Sequence, residues 1–203
     1  KDLKAIDSRA VYKNTNLDLR HYKKIKMYLH AESLPNKPSL PTGNTNQNLD
    51  ESVVAFLRLG SDVDENYYQI EIPLKPTNVS SSSSILTAED VWIPEFNSID
   101  LDLQKLIDMK LKLISNKTLN NEATYFDFDL NEIEEFLPYS QLPGEKKYKF
   151  SIKGNPSLGR VSTLVLGLKN PSTQVGRDLS AEVWFNELRL SNIKSSGGWS
   201  TVA

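Results

Sequence analysis

Two histidines, no cysteine and a scatter of carboxylates leave this sequence few routes to covalent chemistry. A nucleophile–base pair would need His21 or His30 beside a serine or threonine hydroxyl. His30 falls between Tyr28 and Glu32 on the outward side of an alternating run, where a surface histidine is expected. No Gly-x-Ser-x-Gly elbow, phosphate-cradling glycine loop or His-Glu-x-x-His occurs. Asp127 with Asp129, and Glu134 with Glu135, have the residue types of a glycosidase pair. Such adjacent or alternate carboxylates fit solvated faces better. Oxygen ligands for calcium are the next possibility, because Asp62-x-Asp64-x-Asn66 opens like an EF-hand loop. Its sixth position is Tyr67 where Gly belongs and its twelfth is Pro73 where Glu belongs, which excludes an EF-hand. A looser calcium site formed by Asp62, Asp64 and Asn66 in a sandwich turn is the alternative to a plain acidic hairpin turn, which is the preferred reading. Sugar stacking needs aromatics on an exposed face with polar neighbours, and Tyr28, Tyr67 and Trp92 are the candidates. Aromatics at strand spacing more often fill a core. None of these constellations is a strong candidate for catalysis, and no catalytic residue, cofactor or metal is assigned from them.

The composition narrows the class further. At 203 residues, with 38% hydrophobic content and 3 Trp, 8 Tyr and 7 Phe, the chain can build one sizeable core. A formal charge of −2 predicts no general affinity for nucleic acid or for anionic membrane surfaces. Zero Cys removes disulfides and thiol chemistry. No apolar run approaches the ~20 residues of a membrane-spanning helix. The opening Lys1-Asp2-Leu3 and the abrupt Gly197-Gly198-Trp199-Ser200 suggest cuts within a longer chain.

The elements that must position any site are mostly strands. Residues 1–20 read as a lead-in segment, and 21–191 as one sandwich domain with flexible loops at about 33–51 and 77–90. Residues 192–203 read as an exit segment. In Tyr22 to Glu32, Ile25, Met27, Leu29 and Ala31 share one face, and Lys24, Lys26, Tyr28 and His30 the other. The lysines suit an outer face that protects a sheet edge. Val53–Leu59 and Tyr67–Leu74 predict a hairpin around the acidic turn. Val91 to Phe96 reads as a short extended piece, since Pro94 bars a central-strand ladder. Residues 98–115 fit a strand to about Leu103, then one or two helical turns and a possible return to strand. A short strand is expected at Tyr125–Leu130, a helical turn over Glu132–Phe136, and strands at Lys147–Lys153 and Val161–Leu168. Gly154-Asn155-Pro156-Ser157 between the last two is a turn by composition. Seven or eight sequential strands indicate a mostly β fold. The expected form is an antiparallel β-sandwich, jelly-roll-like in the manner of galactose-binding and carbohydrate-binding modules, with one or two short helices and long loops.

The last strand, Ala181–Leu190, alternates Trp184, Asn186, Leu188 and Leu190 against Val183, Phe185, Glu187 and Arg189. Either set can face the core. If Trp184's side is buried, Asn186 needs hydrogen-bond partners, and replacing it by leucine should disturb folding.

Several segments resemble, as an ordered set, the SprA (Sov) family of the type nine secretion system and gliding motility. They are Asp7-x-Arg9-x-Val-Tyr-Lys-Asn14, Asp18-Leu-Arg-x-Tyr22, Tyr67-Tyr-x-Ile-Glu-Ile-Pro-Leu74, and Val91-Trp92 with Asn97-x-Ile-Asp-Leu-Asp-Leu103. Ile152-x-Gly154-Asn155-Pro156-Ser-Leu158, Gly167-Leu-Lys-Asn-Pro171, Glu182-Val-Trp184-Phe-Asn186-Glu187-Leu-Arg189-Leu190 and Gly197-Gly-Trp199 complete it. The resemblance implies a non-enzymatic piece of a giant outer-membrane β-barrel translocon that exports folded cargo. It implies as partners the remainder of that barrel protein, other secretion subunits and cargo, with no nucleic acid and with membrane contact only through the barrel. It implies an outer-membrane-associated position on the periplasmic or cell-surface side. Gly154, Asn155, Pro156, Trp184, Asn186, Glu187 and Arg189 would then be structural motif residues. The competing function is a carbohydrate-binding module of a cell-surface protein.

Overall fold

A computed structural model describes residues 2–34, 52–77, 87–116, 124–127, 132–133, 148–174 and 176–193. These residues form ten strands: β1 (Ser8–Leu17), β2 (Tyr22–Ser33), β3 (Val54–Gly60), β4 (Tyr67–Pro73), β5 (Ser98–Asp102), β6 (Thr124–Asp127), β7 (Glu132–Ile133), β8 (Lys149–Lys153), β9 (Val161–Lys169) and β10 (Ala181–Ile193). Among the described residues a 3-10 turn (Leu19–His21) and two α-helices, α1 (Ala88–Trp92) and α2 (Leu103–Ser115), interrupt them. The strands form a seven-stranded sheet, ordered β1-β9-β3-β4-β8-β6-β7, and a three-stranded sheet, ordered β10-β2-β5. Every pairing is antiparallel. The fold is a β-sandwich, as its strand pattern predicts, with sheets of unequal width.

The core lies between the sheets. Ile25, Met27, Leu29 and Ala31 of β2 and Ile99 and Leu101 of β5 meet Leu57, Leu59, Tyr68, Ile70 and Ile72 of β3 and β4. Leu103, Leu106, Met109 and Leu113, at helical spacing on α2, join the same cluster. Tyr148 ties the layers together: its hydroxyl donates to Ser98 O at 2.7 Å and accepts from Asp100 N at 3.3 Å. Burial pushes the Tyr148 phenol up to about 12, so it stays a donor throughout the physiological range.

β4 is buried along its whole length, on both faces. On the side away from the three-stranded sheet a polar ladder crosses the strands. Arg58 Nε donates to Gln69 Oε1, Gln69 Nε2 donates to Glu71 Oε1, and Lys169 Nζ donates to Glu71 Oε2 at 2.6 Å. Arg58 also stacks on Phe56 and Tyr67, 5.2 and 4.2 Å from their ring centroids.

Several expectations need correcting. β2 is the middle strand of its sheet, so its lysines guard no edge; Lys24 and Lys26 instead flank Asp100, at 3.0 and 2.9 Å. Residues 88–92 are helical because Thr87 and Asp90 form a reciprocal capping box. Residues 103–115 continue as one helix with no return to strand, capped by Asp102 accepting from Gln104 N. Glu132–Ile133 is strand, paired with β6, where a helical turn was expected. On β10, Val183 and Phe185 pack on the core while Trp184 and Leu188 stand exposed, and Asn186 is exposed with them. The expected folding role for a buried Asn186 therefore lapses. A bulge between Asn186 and Arg189, with Glu187 at φ 53°, resets the alternation. The pairs Asp127/Asp129 and Glu134/Glu135, the loops expected over about 33–51 and 77–90 and the Gly197-Gly198-Trp199 motif fall wholly or partly outside the described residues, and the end of the second loop, from Ala88, is helix.

Candidate functional site

The outward face of the three-stranded sheet carries the most unusual surface. The β2–β10 register sets Glu32 opposite Glu182, His30 opposite Trp184 and Tyr28 opposite Asn186. Period two then puts all six on one face. α1 closes over β2 and brings Trp92 to the same place. The His30 ring centroid lies 5.6 Å from those of both Trp92 and Trp184, and the two indoles stand 6.4 Å apart at 62°.

His30 is therefore 3% exposed, not the surface histidine expected from its outward parity. Its Nδ1 lies 2.9 Å from Val91 O and 3.2 Å from Thr77 Oγ1, and its Nε2 lies 3.5 Å from Glu32 Oε2. Thr77 Oγ1 itself donates to Val91 O at 2.6 Å, so the hydroxyl is committed to the fold. Trp184 is 52% exposed, and its Nε1 donates to Glu182 Oε1 at 2.7 Å. One step along the face Arg189 stacks over Tyr28 at 5.6 Å and pairs with Glu187 at 3.4 Å. Lys24, Lys26 and Asp100 continue the strip, with the Asp100 carboxyl held low by the Lys26 hydrogen bond above all.

Of the sugar-stacking candidates, the structure brings Tyr28 and Trp92 to this face and leaves Tyr67 elsewhere, buried under Arg58 in the other sheet. His30 and Trp184 are the members that residue-type reasoning missed. Their shared parity with Tyr28 was the available signal for His30, and Thr87-x-x-Asp90 for the helix that delivers Trp92.

The Asp62–Asn66 turn has its own use. Asp62 Oδ1 accepts from the N–H groups of Asp64, Glu65 and Asn66 at 3.1, 2.6 and 2.9 Å, and Oδ2 from the Asn66 amide at 2.8 Å. Asn66 Oδ1 accepts in turn from Asn155 N at 3.0 Å, and Asp64 lies 3.6 Å from Arg58. The three side chains thus organise the turn and seat the Gly154-Asn155-Pro156 turn beside it. Among the described residues no group of three or more His, Asp or Glu could hold a metal ion. Burial pushes the Asp62 carboxyl up, but the Asn66 amide and the three backbone donors outweigh it and hold it down at about 2. A carboxyl lowered by folding stabilises above its ordinary value of 3.8 and loses that contribution as pH falls toward 2. Asp62→Ala is expected to cost about 1–2 kcal/mol at neutral pH, discounted for its partial exposure. The gap between variant and parent in thermal melts should close by about pH 2; a gap independent of pH would refute the assignment.

The fold and this face define a β-sandwich with an aromatic, acid-rimmed surface. The family SprA_N, motility related/secretion protein, matches residues 1–203, the whole chain, and the chain belongs to that family. No curated protein matches it. The ordered motifs that resemble SprA are thus borne out, and a secretion- and motility-related protein is the established context. Among the described residues no helix is long and apolar enough to cross a membrane.

Proposed function

We propose that the chain is a non-enzymatic structural and interaction domain of a giant outer-membrane β-barrel translocon exporting folded cargo in the type nine secretion system and gliding motility. The observation that carries this reading is the family match over the whole of 1–203. A sandwich with a half-exposed tryptophan on its three-stranded sheet suits docking against the rest of the parent protein, other secretion subunits or cargo. His30, packed between two indoles with Nδ1 facing Val91 O and Thr77, suits packing rather than proton transfer. The domain then sits on the periplasmic or cell-surface side of the outer membrane.

The test is to replace residues 1–203 by a short linker in the parent protein. Cargo export and gliding are expected to fall sharply while the barrel still reaches the outer membrane, scored by immunoblot. Normal export from such cells would sink the proposal.

A further inference from the structure

The spot where Trp184 meets Trp92 has a chemistry that neither the core nor the turns explain. Glu32 and Glu182 are placed directly opposite each other across β2 and β10, an arrangement of like charges that weakens an antiparallel pair. Among the described residues no lysine or arginine forms an ion pair with either. Each faces an aromatic nitrogen instead, Glu182 the Trp184 Nε1 at 2.7 Å and Glu32 the His30 Nε2 at 3.5 Å. Beside them two indole planes meet at 62°, with Trp184 half in solvent. Rings at that angle make a corner and not a flat platform, so they suit a compact charged head better than a stacked sugar ring. Indole faces attract a cation, and two carboxylates at the rim add its countercharge. A lysine or arginine matches both features, its apolar stem lying on the indole and its head reaching the acids.

The backbone beside the corner says how that side chain is presented. β10 is the outer strand of its sheet, and among the described residues nothing pairs with its outer edge. The bulge at Glu187 leaves Ala181–Asn186 as a regular run in which an added strand finds evenly spaced donors and acceptors. A residue opposite Trp184 on such a strand points its side chain to the face of the corner. We propose that Trp184, Trp92, Glu32 and Glu182 form a receptor for a lysine or arginine side chain, carried by an extended segment of a protein partner that adds to the edge of β10. The inference rests on the interaction role proposed above. Its test reads binding and not export, so the two fail separately.

Isothermal titration of the 203-residue chain with a threonine–valine peptide bearing one central lysine tests it. Binding is expected, with the norleucine version of the peptide about tenfold weaker. Trp184→Ala, which leaves the net charge unchanged, should weaken the lysine peptide by a similar factor, and Trp184→Phe by less. The double variant E32Q/E182Q should weaken it too and flatten its dependence on salt. Trp184 is half exposed on an outer strand, and a thermal melt matching the parent confirms that each variant folds. Equal affinity for the lysine and norleucine peptides, or unchanged binding by Trp184→Ala, overturns the proposal. So does binding of cellohexaose in place of the peptide, which would make the corner a sugar site. Binding of neither probe overturns it as well.

Discussion

Replacing Glu71 by leucine should lower the unfolding free energy by about 3 kcal/mol, measured by urea denaturation. The carboxylate is 1% exposed and accepts from Gln69 on its own strand and from Lys169 on β9. Removing one member of a buried charged pair typically costs about 3–5 kcal/mol, because the remaining charge loses that contact and regains little water. The lower end applies here, since Lys169 is 21% exposed and water can reach it. The companion double variant, Glu71→Leu with Lys169→Met, should recover much of the loss, since an apolar pair of similar volume is often no worse than a buried ion pair. A single-variant loss below about 1 kcal/mol, or a double variant worse than the single, would show that the ladder does not act as a pair.

Gly154→Ala is expected to be nearly as damaging, by about 2–4 kcal/mol. Gly154 adopts φ 62°, where an L-residue is strained by about 1–2 kcal/mol. Its added Cβ would also fall 2.2 Å from Glu65 O and 2.5 Å from Asn66 Oδ1. A backbone carbonyl cannot rotate aside as a side-chain tip can, so the Asp62–Asn66 turn must shift and release Asn155. Gly176 supplies the control within the same chain. It too has positive φ, at 87°, but nothing lies within 4 Å of its Cβ position. Gly176→Ala should show the conformational part alone, about 1–2 kcal/mol. Equal losses at the two positions would mean that the turn yields freely.

Much of the architecture was legible because period two is a strong signal. β2, β3, β4, β8 and β9 fall where their alternation puts them, and the ordered motifs pointed to the family that the whole-chain match establishes. What alternation cannot do is say which of two apolar faces meets the core. Val183 and Phe185 are a pair as apolar as Trp184 and Leu188, and only the partner sheet decides between them. The same gap hid His30. Outward parity normally means solvent, but a five-residue helix from a distant stretch covers it with Trp92. α1 escaped because Pro94 dominated the reading of its neighbourhood, although Thr87 and Asp90 have the spacing of a capping box. The acidic turn was legible as a turn; that Asp62 accepts from three backbone N–H groups depends on the folded path of the turn, which residue types alone do not specify.

The way the two sheets are closed sets an order of assembly. β1 pairs with β9, so Ser8 meets Lys169, and β2 pairs with β10, so Tyr22 meets Ile193. Leu3 likewise bridges Leu179. In both sheets, then, an early strand waits for one of the last strands to be made. Loop-closure entropy disfavours these contacts until the intervening hairpins have shortened the effective loop, which makes such a topology slow to fold. A chain delivered N-terminus first carries β2 with one ladder edge open until β10 arrives. Until then the incomplete sheet exposes an unpaired strand edge, the kind of intermediate most open to wrong pairing and aggregation.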